Sequence, residues 1–388
     1  MRSYLLTLGL LLLLGTAAWW LRRDTMPTAT RLTVAEALAG DTVGYARARA
    51  PRTFHFPEDH GPHPEFKTEW WYLTGHLRTA EDRSFGYQFT LFRIALAPPS
   101  EADTIAASAW RTRQLYMAHL ALSDIAEGRF YAFERLSRGA LGLAGATAQP
   151  FRVWLENWQL AQAGPEVFPW RLGASEGAVT LELTLTPLKP VVLQGNQGLD
   201  PKGPKPGNAS YYYSISRLAT TGMLRIGSQT YTVEGLSWLD REWSTSALGE
   251  DQVGWDWFAL QLDHGYDLMW YRLRRRDGSE SPWSRGALID PEGRSLPLES
   301  GAVQLEVRDT WTSPHSQLTY PSAWHLRVPA QELELYIRPR LKDQELNVSV
   351  RYWEGAVAVE GQHRGQKVKG LGYVELTGYG EAALPGSP

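Results

Sequence analysis

Hydrophobic and polar residues alternate along most of this chain. In "VTLELTLTP", Val179, Leu181, Leu183 and Leu185 share one parity while Thr180, Glu182, Thr184 and Thr186 share the other. That pattern predicts a strand with one face on a core and one in water. "LNVSVRYW" repeats it with Leu346, Val348, Val350 and Tyr352, and comparable runs stand at 84–91, 115–122, 130–136, 152–155, 211–216, 222–226, 255–262, 268–273, 325–328 and 333–337. Gly, Asp and Pro turns separate them, so the expected fold is all-β, with meandering antiparallel sheets closing into barrels or sandwiches.

The Gly/Pro-rich stretch 194–210, "QGNQGLDPKGPKPGNAS", interrupts strands of the first half and is expected to be a long surface loop. A boundary between two units is expected around Trp238 to Asp251. Length agrees, because 388 residues exceed the size of one ordinary core. So does composition: 36 Gly and 24 Pro punctuate a chain whose 17 Trp and 17 Tyr suit a pleated surface.

The first residues break the pattern. Arg2 precedes an apolar run from Tyr4 to Leu21, followed by Arg22 and Arg23. Its length is at the short end for a membrane span, and Gly15 and Ala17 fit a cleavage site, so residues 1–24 read as a signal peptide or an uncleaved anchor. An exported, periplasmic protein is expected, with membrane association through residues 4–21. Residues 25–53 read as a linker, 54–240 as the first domain, 241–380 as the second and 381–388 as a tail.

Charge and thiols narrow the function. A formal net charge of -3 gives no electrostatic basis for nucleic acid as a partner. The absence of cysteine excludes disulfides, thiol nucleophiles and Cys-ligated zinc. His55, His60 and His63 lie in a Pro-stiffened loop, but the His-Gly-Pro-His spacing matches no strong metal signature. No metal or other cofactor is expected. A metal-dependent hydrolase using His60, His63 and His119 is the weakest of the readings.

Carboxylates interleaved with tryptophan carry more. On "TEWWY" a strand puts Glu69 and Trp71 on one face and Trp70 and Tyr72 on the other. "WLDREW" groups Trp238, Asp240 and Glu242, and "GWDWF" sets Trp255 and Trp257 opposite Asp256. An acid desolvated by indole stays protonated near neutrality and can donate its proton; an indole face can hold the cation that results. Asp240, Glu242, Asp256 and Glu69 are therefore the candidate acids. The competing reading makes the tryptophans core filler and pairs the acids with Arg93, Arg241 or Lys67. On either reading the loop from His55 is expected to be a structured turn fixed by His60 and His63, with Glu69, Trp70 and Trp71 packing where two barrels meet.

The stretches "FPEDHGPHPEFKTEWWYLTGHL", "GLSWLDREWSTSALGEDQVGWDWFALQL" and "YWEGAVAVEGQHRGQKVKGLGYVELTGY" resemble the family of AttH-like proteins and carotenoid 1,2-hydratases, in order from about Phe54 to Tyr379. The resemblance implies two tandem lipocalin-like β-barrels. It also implies a pocket lined or buttressed by Asp240, Glu242, Trp243, Trp255, Asp256 and Trp257; Trp70, Trp71, Tyr72, Trp238, His119 and Arg241 are further candidates for the pocket or the interface. Hydratase members add water to a C=C of acyclic carotenoids without a cofactor, whereas AttH members resemble exported components encoded beside ABC transporter subunits. Arg241 stands where hydratases of the family typically carry His, and arginine stays charged at neutral pH. That places the chain nearer the AttH-like branch. Two expectations follow: a carrier of an apolar, lipid-like ligand working with an ABC transporter, or a hydro-lyase acting on an isoprenoid C=C.

Overall fold

The computed structural model describes residues 42–99, 112–246, 248, 249 and 251–380. The expected leader, residues 4–21, lies outside them. Two antiparallel sheets, of thirteen and ten strands, curl into near-closed barrels. The strands Thr68–Arg78, Gln229–Ser244 and Ala209–Ile226 are adjacent at the centre of the first sheet, and Gln252–Leu262, Gln366–Leu376 and Arg351–His363 at the centre of the second.

Period-two patterning decides which way each strand faces. Val179–Pro187 alternates buried and less buried positions, as a strand with one wet face should. Thr68–Arg78 and Gln252–Leu262 are buried at nearly every position, because one face fills a barrel and the other packs on the opposite barrel. Each barrel has its own core: Leu73, Phe89, Trp158 and Leu239 in the first, Phe258, Trp270, Trp324 and Val374 in the second. A third cluster holds Tyr72, Trp238, Trp257, Ala356 and Tyr373 and spans both sheets.

The first sheet's last strand runs on to Ser244 and the second sheet begins at Gln252. Three expectations change. The stretch 194–210 is not a surface loop: Leu199–Pro201 pairs as a strand with Ala209–Ile226, and Gln194, Asp200 and Lys202 are buried. The runs 211–216 and 222–226 belong to one strand, Ala209–Ile226, broken in register by a bulge between Ile215 and Leu218. "LNVSVRYW" is not one strand but a tight hairpin, with Leu346 opposite Tyr352 and Asn347 opposite Arg351. Leu346, Val350 and Tyr352 still reach one apolar cluster, which is why the alternation survives the turn.

Candidate functional site between the barrels

Even-numbered residues of Thr68–Arg78 and Gln229–Ser244 point out of the first barrel, and odd-numbered residues of Gln252–Leu262 point out of the second. Their meeting encloses a cavity of about 90 Å³ whose wall includes Trp70, Tyr72, Tyr212, Asp240, Glu242, Trp255, Trp257, Tyr352 and Glu375.

Asp240 is its central acid. Oδ1 accepts hydrogen bonds from Ser214 Oγ at 2.6 Å and Trp238 Nε1 at 2.7 Å, and Oδ2 accepts one from Tyr212 Oη at 2.5 Å. All three donors are neutral. Burial pushes the Asp240 carboxyl up to about 7, against the lowering effect of those donors, and nearby Glu242 adds to the rise. Tyr212 accepts from Trp257 Nε1 at 3.3 Å, which joins the acid to the second barrel's indole. Glu242 lies 3.3 Å from Lys202 Nζ; burial still holds its carboxyl above the usual range, although Lys202 opposes the shift.

A second pair of acids comes from the other barrel. Glu354 and Glu375 are cross-strand partners, so two buried carboxyls stand side by side. Tyr72 Oη donates to Glu354 at 2.6 Å and Trp255 Nε1 to Glu375 at 2.5 Å. Burial raises both carboxyls, and their mutual proximity raises Glu354 further.

Several candidates named from the sequence sit elsewhere. Glu69 and Trp71 are odd-numbered and face the first barrel's interior, not its partner. Glu69 is fully buried between Arg93 and Arg241. Burial alone would raise its carboxyl, but the two guanidiniums outweigh that and hold it well below the usual range, so it is no proton donor. Arg241 faces the same interior, 4.0 Å from the Trp71 ring, and Trp243 stacks on His63 at 3.7 Å there. Neither lines the pocket. Asp256 is pinned inside the second barrel by Arg272, Arg274 and Tyr379 at 2.5, 3.0 and 2.9 Å. Trp238 stands behind Asp240, and His119 stands behind Tyr352 at 2.7 Å.

The loop histidines hydrogen-bond within the fold: His60 Nδ1 to Tyr213 Oη at 2.6 Å, His63 Nε2 to Asp59 at 3.0 Å. Among the described residues no three His or carboxylate side chains converge as a metal site would require. Sequence reasoning passed over Tyr212, Lys202, Tyr352, Glu354 and Glu375. An available signal was the acid in "YWEGAVAV", a lone carboxylate within an apolar stretch of eight residues.

A barrel pair enclosing a desolvated acid and an indole-lined cavity defines a tandem lipocalin-like protein with a built interior site. Residues 47–379 match the AttH-like family, and the chain belongs to it. It is similar to a crystal structure of a candidate AttH protein from Nitrosomonas europaea, 35% identical with a TM-score of 0.75, the match covering 86% of this chain and 99% of that one. It shares the fold of kievitone hydratase from Nectria haematococca, 15% identical, TM-score 0.64, covering 87% and 97%. Among curated proteins it is 25% identical over 223 residues to the dehydratase asqC of Emericella nidulans. That match spans 53% of this chain and 60% of the fungal protein's length.

Proposed function

We propose that the protein is a cofactor-free hydro-lyase, adding water to, or removing it from, an apolar unsaturated molecule such as an isoprenoid held between the barrels. The observation that carries this reading is Asp240: a carboxyl 3% exposed, without a cationic partner among the described residues, protonated up to about pH 7 and facing indoles. In hydration its O–H bond breaks as the alkene π pair forms a C–H bond, and Trp70, Trp255 and Trp257 offer faces to the carbocation. A dry site keeps that cation from random capture. Similarity to a dehydratase and to the fold of a hydratase supports the same reaction class. Arg241 does not weigh against it, because position 241 faces away from the cavity.

The carrier reading uses the same cavity without chemistry. A transporter partner and a membrane tether rest on the resemblance and on residues 4–21, outside the described residues. The test is incorporation of ¹⁸O from labelled water into acyclic isoprenoid alkenes, with loss of ¹⁸O-labelled tertiary alcohols as the reverse assay. Turnover that falls by about 100-fold in Asp240→Asn, with binding retained by tryptophan quenching, is expected. Binding of the same alkenes with no turnover in the wild type would make the protein a carrier.

A further inference from the structure

Behind the pocket wall, beside Trp70 and Trp255, runs a chain of polar groups. Tyr352 belongs to the second barrel and lines the cavity. Its hydroxyl meets His119 Nδ1 of the first barrel at 2.7 Å, and the other ring nitrogen, Nε2, meets Glu134 Oε2 at 3.2 Å. Ser349 Oγ of the second barrel also donates to Glu134 at 2.5 Å. His119 is fully buried, whereas the Glu134 side chain is 16% exposed, so the chain ends at solvent. Glu134, as a carboxylate, accepts from Nε2–H, and a tautomer with that single proton leaves Nδ1 to accept from Tyr352.

We infer that Tyr352, His119 and Glu134 form a proton-transfer triad, Tyr352 being the catalytic residue that takes the proton of the attacking water and the other two its positioning residues. The inference rests on the hydro-lyase reading. As water's oxygen bonds to the carbocation, one of its protons passes to the Tyr352 oxygen while Tyr352 gives its own to His119 Nδ1. The imidazolium so formed lies against the Glu134 carboxylate, as in other oriented-histidine sites. Burial would raise the Glu134 carboxyl, but hydrogen bonds from His119 and Ser349 outweigh it and keep it ionised. Once product has left and water has re-entered, the Nδ1 proton returns through Tyr352 and that water to Asp240, restoring every group. Dehydration runs the same transfers backwards. Burial opposes ionisation of Tyr352, and any charge on the neighbouring Glu354 or Glu375 adds to that. Direct loss of its proton to solvent is therefore disfavoured, and transfer to a neutral histidine is the open route.

The test combines turnover with a readout that needs none. In the ¹⁸O assay Tyr352→Phe is expected to lose about 100-fold and Glu134→Gln about tenfold in kcat, with KM within about twofold and a changed pH profile. In the ¹⁵N-histidine-labelled full chain, assigned with His119→Gln, His119 should be the neutral Nε2–H tautomer. Its ring N–H exchange with water should slow by about tenfold in Glu134→Gln at unchanged stability, because Glu134 is the outlet. If Asp240→Asn is inactive while Tyr352→Phe and Glu134→Gln turn over like wild type, the triad falls and the hydro-lyase stands. If no alkene or alcohol reacts, the hydro-lyase falls, and the NMR result decides the chain: an Nδ1–H tautomer, or exchange indifferent to Glu134, overturns it.

Discussion

At the scale of single residues, three acids that look alike in sequence have three fates. Glu69, Asp240 and Asp256 each stand within two positions of a tryptophan, yet parity sends Glu69 and Asp256 into barrel interiors where arginines wait and Asp240 into a wall without one. Parity was legible, and Arg93 and Arg241 were among the partners expected; which acid would take them was not, because Arg93 is set opposite Glu69 only by strand register. Removing the charge in Glu69→Gln leaves Arg93 and Arg241 buried without a carboxylate, and a loss of about 3–5 kcal/mol in a urea melt is expected. Unchanged stability would mean that the pair is not the keystone of that interior. Asp240 behaves in the opposite sense. Its folded pKa of about 7 lies above its ordinary 3.8, so the folded state holds this proton more tightly. The stability that goes with it is complete below pH 4 and is lost as pH rises through 7. The interval corresponds to roughly 4 kcal/mol as an upper bound. Asp240→Asn should therefore gain stability relative to wild type between pH 5 and pH 8, measured by denaturant midpoints, while wild-type turnover declines above about pH 7.

At the scale of elements, alternation located the strands but could not say which were buried twice. "SFGYQFTLFRIA" carries bulky residues on both parities, and the strand Ser84–Ala95 is buried on both faces. The hairpin at 345–352 was unreadable for a related reason: a turn that returns both arms to one cluster preserves the period. Where two sheets press together, side-chain size at the crossing sets the gap. A Cβ on Gly86 would stand 2.6 Å from Ala356 Cβ and 2.6 Å from Tyr373 Oη of the second barrel, closer than real contacts allow. Gly86→Val should cost about 1–3 kcal/mol and reduce quenching of pocket tryptophans by ligand. Gly128, whose added Cβ meets nothing within 4 Å but whose φ is +61°, gives the contrast: Gly128→Ala should lose stability by backbone strain while leaving ligand quenching untouched.

At the scale of the whole molecule, the site belongs to neither barrel. Tyr72 of the first holds Glu354 of the second, His76 Nε2 donates to Gly372 O at 2.7 Å, Ser123 Oγ to Gln344 at 2.6 Å, and Tyr271 Oη of the second reaches Asp200 of the first at 2.8 Å. Lys189 adds an ion pair to Asp267 at 2.7 Å. Such contacts bury polar groups that neither barrel satisfies alone, so separating the barrels would expose them together with Trp70, Trp238 and Trp257. One cooperative thermal transition is expected, with equal calorimetric and van't Hoff enthalpies; two transitions would mean that the barrels fold as independent units. The cavity sharpens this argument. At about 90 Å³ it is smaller than the roughly 300–1,000 Å³ of clefts that hold molecules of drug size. Its walls come from both barrels, so admitting ligand requires the shared wall to give. Loosening that wall without touching the acid should then speed entry. Tyr72→Phe, which removes one inter-barrel hydrogen bond and keeps the ring against Trp257, is expected to raise the ligand association rate in stopped-flow quenching and to lower the single Tm. An unchanged rate with a lowered Tm would place the entrance away from the inter-barrel seam.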